Sequence, residues 1–275
     1  MTISVTDALM EGPAAISFSG GRTSGYMLKM IWDDCGGKLP EDVIPIFANT
    51  GKERNETLDF VHAFTEVWGI PVRWVEYRSE APFFQEVDYS TASRAGEPFS
   101  ALIAKKKMPP NWQARFCTQY LKVEAMTRLM ESLGYPRGTY LEVIGLRHDE
   151  GRRLLRMYER NDTDKRRCLA PLDKAKVTLR DVASFWRSQP FDLNLDPGEG
   201  NCDLCFLKGR NLRKELIRRR PDAWSWWSEQ ELSVNGFFDK RDSYAELAAE
   251  VSQQRDMFPT DEEHDVECGL LCGAE

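Results

Sequence analysis

Residues 14–24 read Ala-Ala-Ile-Ser-Phe-Ser-Gly-Gly-Arg-Thr-Ser. A short apolar run ends in Ser-Gly-Gly, and an amphipathic stretch with Tyr26, Met27, Met30 and Ile31 follows at once. That order reads as strand, tight glycine turn, helix. Gly20 and Gly21 have no Cβ, accept positive φ and let a ligand approach the backbone. The first N–H groups of the helix and the hydroxyls of Ser17, Ser19, Thr23 and Ser24 then face one anionic group, and Arg22 adds a fixed charge. The chemistry suggested is phosphate binding at the carboxyl end of a parallel strand. A glycine turn capped by serines, with no ligand, is the plainer alternative. The Gly-Lys-Ser/Thr ending of a Walker loop is missing, as is the third glycine of the dinucleotide fingerprint.

The same alternation continues outward from this loop. Residues 43–48 read as a second buried strand, 49–51 (Asn49, Thr50, Gly51) as a turn, and 56–68 as a helix from the spacing of Leu58, Val61, Phe64, Val67 and Trp68. Residues 72–77 form a third strand, 122–133 a helix and 140–145 a fourth strand. The fold class is therefore α/β, a doubly wound, mostly parallel sheet with right-handed crossovers. Ligands bind such sheets beyond the carboxyl ends of the strands, and the turns at 19–24, 49–51 and 145–148 all fall on that edge. Residues 79–112 show no clean period and carry Pro82, Pro98, Pro109 and Pro110. They read as a long, partly mobile excursion of the kind that covers active sites. After Pro171 the texture changes. The expected division is an α/β domain with the phosphate loop over 1–170 and a helical, cysteine-bearing region over 171–275, either a separate domain or part of the same one. In the latter, 178–189 reads as a capped helix, 212–219 as a basic helix, and Trp224, Trp226 and Trp227 as a packed helix end.

Composition narrows the class. The chain has 275 residues, 41% hydrophobic and 29% charged, as in an ordinary globular protein. No apolar run is long enough to span a bilayer and no secretory signal is visible, so a cytoplasmic location is expected. A net charge of −7 argues against a generally basic nucleic-acid binder. Two stretches are nevertheless basic, 147–167 and 208–220. Such runs are more often solvated faces than sites.

Seven cysteines without a signal favour metal binding or thiol chemistry over a disulfide framework. Cys202 and Cys205 have the two-residue spacing that lets both sulfurs reach one metal or cluster, or act as a redox dithiol. Cys117, Cys268 and Cys272 are candidates to complete a site. Cys35 and Cys168 read as ordinary or buried thiols. The three histidines are unpaired in sequence, and a single close cysteine pair fits a cluster of four irons better than zinc, with zinc still open.

The phosphate loop resembles the PP-loop of the adenine-nucleotide alpha-hydrolase superfamily, usually Ser-Gly-Gly-Lys-Asp-Ser, with Arg22 and Thr23 in place of Lys and Asp. Further segments are similar to the phosphoadenosine phosphosulfate (PAPS) reductase family. Asn49-Thr50-Gly51-Lys52-Glu53 with Glu56-Thr57 looks like its Asp-Thr-Gly…Pro-Glu-Thr stretch. Cys117…Lys122-Val123-Glu124-Ala125-Met126 looks like Cys-Cys…Lys-Val-Glu-Pro-Met. Gly145-Leu146-Arg147…Glu150…Arg153 looks like Gly-Leu-Arg…Glu…Arg. Cys202 and Cys205 match the second cysteine pair of cluster-bearing adenylyl-sulfate (APS) reductases, and Glu267-Cys268-Gly269-Leu270 resembles their tail. The sequence departs from that pattern at Phe116, where a cluster cysteine would stand, and at Leu271, where the tail histidine would stand.

The resemblance implies a sulfonucleotide reductase. Cys268 would be its nucleophile, with Lys122 and Arg147 acting on the sulfate and phosphate. Ser17, Ser19, Gly20, Gly21, Arg22, Thr23, Ser24, Asn49, Thr50, Gly51, Arg115, Gly145 and Arg153 would bind the nucleotide (PAPS, APS or ATP). Cys117, Cys202, Cys205 and Cys272 would hold an iron–sulfur cluster, 4Fe-4S, or zinc. A thioredoxin-like dithiol would be the electron donor. The phosphate loop is closer to the ATP-using branch, which implies the alternative of an ATP-dependent iron–sulfur sulfurtransferase acting on nucleic acid, with the two basic stretches as partner surfaces. A non-enzymatic nucleotide- or cluster-binding protein is the third reading.

Overall fold

The structure is a computed structural model, and it describes residues 8, 9, 11–163, 167–196 and 198–253. Its centre is a six-stranded sheet. In chain order the strands are β1 (Ala14–Ser17), β2 (Val43–Asn49), β3 (Arg73–Tyr77), β4 (Phe84–Val87), β5 (Leu141–Ile144) and β6 (Cys168–Leu169). Their spatial order is β4-β3-β2-β1-β5-β6. All pairs are parallel except β3 with β4. The chain therefore runs outward from β1 to β3, then returns to the other side of β1 at β5. This reversal makes a crevice between β1 and β5 at the carboxyl edge, the position where doubly wound sheets bind ligands.

Side chains alternate across each strand, so the buried strands feed two cores. Ala14, Ile16 and Phe47 face one layer with Phe18. Two helices, α1 (Arg22–Asp34) and α2 (Asn55–Trp68), cover it through Met27, Leu28, Ile31, Leu58, Val61 and Phe64. Ala15, Ile46, Ala48 and Val75 face the opposite layer, closed by Leu129 and Met130 of α4 (Ala125–Ser132). Helices thus lie on both faces, as the α/β alternation predicts.

Residues 79–112 differ from the excursion expected of them. They contain β4 and a ten-residue helix, α3 (Glu97–Lys106), whose Phe99, Leu102 and Ile103 are buried. Pro98, read as a loop marker, sits instead in the first turn of α3, where its missing N–H costs nothing. The helix expected from 122 is preceded by a π-helical segment, Thr118–Glu124, before α4 begins. Three elements carry no clear signal in sequence: α5 (Gly151–Thr163), β6 and α10 (Tyr244–Gln253).

The chain after β6 continues through α6 (Pro171–Lys174), α7 (Leu179–Trp186), α8 (Arg210–Arg219) and α9 (Ala223–Ser233). The capping box expected at Thr178 and Asp181 is present at the start of α7. Leu172, Val177, Val182 and Trp186 belong to the same core as α1 and α2. A separate core joins Tyr77, Phe99, Ile103 and Leu121 to Cys202, Cys205, Leu216, Trp227 and Tyr244. Residues on the two sides of position 170 therefore share both cores. Trp227 is fully buried there, consistent with a packed helix end.

Candidate functional site

The phosphate loop joins β1 to α1. Gly20 takes φ +75°, and a Cβ on it would meet Thr57 Cγ2 at 2.6 Å, so both backbone and space demand glycine there. Gly21 differs. It is the N-cap of α1 with φ −101° and ψ 160°, ordinary extended backbone, and a Cβ would meet only Ser19 Oγ at 3.6 Å. No side chain caps the helix. Its first turn therefore keeps the partial positive charge that attracts an anion. Ser24 Oγ accepts from Ser19 N at 3.1 Å, lies 2.8 Å from Ser19 Oγ, and donates to Gly21 O at 3.1 Å. These bonds hold the loop around the helix start. The hydroxyl of Thr57, beside Gly20, is buried without a hydrogen-bond partner.

Arg22 does not face this loop. Its guanidinium donates to both carboxylate oxygens of Asp192, at 2.7 and 2.8 Å, and to Leu193 O at 2.7 Å. The cation at the loop comes from the neighbouring strand end. Arg147, almost wholly buried, donates from Nη1 to Thr23 Oγ1 at 3.0 Å and from Nε to Asp149 Oδ1 at 3.0 Å. Its backbone N–H is held by Glu150 Oε2 at 2.9 Å, and Glu150 also pairs with Arg153. Gly145 lets β5 approach α1: a Cβ there would meet Ser24 Cα at 3.1 Å. Ser17 lies with Ala15 on the opposite side of β1, beside Thr127, Tyr140 and Glu142.

The turn after β2 is packed rather than open. Asn49 donates to Glu76 Oε1 at 2.6 Å and to Ser93 O at 2.9 Å, and accepts from Gly51 N at 3.1 Å. Gly51, at φ +77°, stacks on Gly96, whose Cα is 3.0 Å from where a Cβ would stand. Thr50 gives its N–H and hydroxyl to Glu53 Oε2, each at 2.8 Å. Glu53 Oε1 accepts no hydrogen bond and lies 3.8 Å from Lys122 Nζ.

The cysteine pair adjoins this turn. Glu53 and Cys202 form an isolated β-bridge, Asp203 N donates to Lys52 O at 2.8 Å, and Thr50 Oγ1 is 3.5 Å from Cys202 Sγ. Lys208, buried at 1% exposure, donates from Nζ to Gly198 O and Gly200 O, both at 2.6 Å, which ties down the turn before the cysteines. Burial pushes the Cys202 thiol well above its ordinary pKa; Glu53 and Cys205 add to this, while Lys122 and Thr50 oppose it. Burial likewise lowers the pKa of Lys208, with Cys205, Cys202, Asp203 and Glu199 acting the other way. Cys117 packs against the same core as Cys202 and Cys205, with Phe116 and Tyr120 beside it. Arg115 lies two residues before Cys117, half-buried. Cys268 and Cys272 lie outside the described residues.

Among the described residues, no three His, Cys, Asp or Glu side chains are arranged to hold a metal ion. Cys168 is buried and Cys35 half-buried, as expected of ordinary thiols. Glu53, Thr57, Asp192 and Lys208 were not singled out as site residues from sequence. Lys208 carries a local signal, three positions after Cys205, and Glu53 and Thr57 lie within the stretch that resembles the family's Asp-Thr-Gly…Pro-Glu-Thr motif; Asp192 carries none. No described helix is long and apolar enough to cross a membrane.

No family model matches the chain. The chain is similar to the uncharacterized nin region protein ORF290 of Escherichia phage lambda, with 32% identity over 201 residues, 70% of this chain. The match spans 65% of the phage protein's own length, and its name gives no activity.

Proposed function

We propose that this chain is a sulfonucleotide reductase of the PAPS/APS reductase type, a PP-loop protein that binds an adenine nucleotide at the carboxyl edge of its sheet in the cytoplasm. One observation carries the reading. The β1 loop, joined to Arg147, and the β2 turn, packed on Cys202, follow the carboxyl ends of two adjacent parallel strands, so the loop that would take an anion and the thiol pair lie along one sheet edge. Phosphate would rest on the first turn of α1, with Arg147 and Arg153 supplying positive charge. The Cys268 thiolate would attack the sulfonate sulfur and break its bond to the phosphate oxygen, so the nucleotide leaves with that electron pair. A thioredoxin-like dithiol would then release sulfite from the thiosulfonate and itself become a disulfide. Cys202, Cys205, Cys117 and Cys272 would hold an iron–sulfur cluster or zinc.

The alternative, an ATP-dependent sulfurtransferase acting on nucleic acid, is favoured by one observation: Arg152 and Arg156 stand exposed beside the Arg147 loop. One experiment separates the two. Anaerobically purified full chain is titrated with ATP, APS and PAPS, then assayed for sulfite with a dithiol donor, beside Cys268→Ser. Sulfite formed by the wild type and lost in the variant supports the reductase. ATP binding with no sulfite from either sulfonucleotide supports the transferase. Absence of nucleotide binding overturns both.

A further inference from the structure

The two basic stretches of the chain have different fates. On α8 the cations are used internally. Arg210 pairs with Asp242 and Glu250, Arg213 with Asp239, Lys214 with Glu250, and Arg218 and Arg219 with Glu215. On α5, Arg153 pairs with Glu150, but two other cations do not pair. Arg152 and Arg156, one turn apart, are exposed and have no acidic partner among the described residues. Lys174 and Lys176 are exposed in the same way.

The two segments that carry these four cations are joined to each other. Tyr158 of α5 donates to Asp173 Oδ2 at 2.6 Å, and His148 Nδ1 is 2.9 Å from Asp173 Oδ1. His148 N donates to Val177 O at 2.9 Å, and Leu179 N to Asp149 Oδ2 at 3.0 Å. Segments 148–158 and 173–179 are thereby fastened side by side. The acids of residues 148–158 and 173–179 are paired: Asp149, itself exposed, and Glu150 with Arg147, and Asp173 with His148 and Tyr158. Exposed there, beside Glu159 of the same helix and the paired Asp149, are these four cations together with Leu155 (64% exposed), Leu179 and Tyr158. In a chain of net charge −7, such a face is a local exception.

From this we infer that the α5 face is a docking surface for a single-stranded nucleic acid. Arg152, Arg156, Lys174 and Lys176 meet its phosphates, and Leu155, Leu179 and the Tyr158 ring meet its bases. Cations spaced along a helix with apolar and aromatic side chains between them suit a strand whose bases are unpaired. The face adjoins the Arg147 loop, so a bound strand lies beside the nucleotide site. This deepens the sulfurtransferase reading and rests on it for its biological sense, but the surface itself does not depend on which nucleotide the loop takes.

The test is fluorescence anisotropy of the full chain with a labelled 20-nucleotide single strand, DNA and RNA separately, across a salt series. The wild type should bind with micromolar or tighter affinity in low salt. Arg152→Glu with Arg156→Glu should weaken binding at least tenfold. Arg152→Ala with Arg156→Ala should flatten the slope of log affinity against log salt by roughly 1.4. Lys174→Gln with Lys176→Gln should weaken binding in the same direction, and Arg218→Glu with Arg219→Glu should not. Thermal melting checks that each variant folds. ATP and PAPS titrations of the same variants should match the wild type. Oligonucleotide binding without nucleotide binding would leave the surface standing and remove the proposed function; the converse would remove the surface alone. Tighter binding to phosphatidylserine vesicles than to the strand, or equal affinity and slope in the Arg152/Arg156 variants, overturns the proposal.

Discussion

Arg147 donates to Thr23 across 3.0 Å and so joins the loop after β5 to the first turn of α1. The two strands flank the point where the sheet order reverses, and this bond spans it. On the proposed function, the buried guanidinium held at Asp149 and Thr23 would be an anion receptor set in place before any ligand arrives. Arg147→Met should therefore weaken binding of ATP or PAPS by about tenfold or more, the scale of one lost charged hydrogen bond. Thr23→Val should weaken it less, because the cation remains. Titration calorimetry on both variants checks the order; equal affinities in Arg147→Met and wild type would place the phosphates elsewhere.

The two loop glycines should respond oppositely to substitution. Gly20→Ala puts a Cβ at positive φ and against Thr57, so it should destabilise the fold by roughly 1–3 kcal/mol. Gly21→Ala meets no such strain and should leave stability within about 0.5 kcal/mol. Urea unfolding of the pair reads this directly. From sequence the two glycines are equivalent. Any loss of nucleotide affinity in Gly21→Ala then reports a ligand close to that Cα, since the turn itself tolerates the methyl group.

What was legible in sequence was local. Strand, turn and helix around Gly20 follow each other within a dozen residues, and β2, α2, β3 and β5 announce themselves by period. The Thr178 and Asp181 capping box could be read for the same reason. Contacts that depend on chain return were not legible. Nothing near Arg22 points to Asp192, 170 residues away, which takes its guanidinium from the loop. α3 was hidden because prolines at 98, 109 and 110 flank it, although Phe99, Leu102 and Ile103 have helical spacing. The two basic stretches look alike as strings, and only their acidic partners in space tell α8 from α5.

Lys208 gives a prediction about the cysteine turn. Its ammonium is the donor for two carbonyls, Gly198 O and Gly200 O. Lys208→Met keeps the buried stem and removes both bonds. Stability should fall by about 2–4 kcal/mol, the cost of stranding two acceptors less the relief of an unburied charge. The Cys202 and Cys205 thiols should then react with iodoacetamide faster than in the wild type, because the turn that covers them has lost its tether. Unfolding curves and mass spectrometry of the alkylated peptides measure the two effects separately. Unchanged alkylation with lowered stability would mean that the thiols are shielded by the surrounding core and not by this turn.

Glu231 sets a pH dependence that is independent of the site. Only 4% exposed on α9, where it meets the start of α10, it accepts from Phe238 N at 3.2 Å and Tyr244 N at 3.0 Å. Burial outweighs these bonds and the nearby Arg213, and raises its pKa to about 7. The folded chain thus holds a proton that the unfolded chain, with an ordinary carboxylate, releases near pH 4.5. The stability this contributes is complete below pH 4.5 and is lost as pH rises through 7. The full swing is no more than roughly 3 kcal/mol. Glu231→Gln removes the titration, so its own stability should not follow pH in this window. The wild type's stability relative to Glu231→Gln should therefore decrease from pH 5 to pH 8. Thermal melts of both proteins at half-unit steps test this; a difference that stays flat, or widens with pH, would show that Glu231 is ionised throughout and held by its two backbone donors.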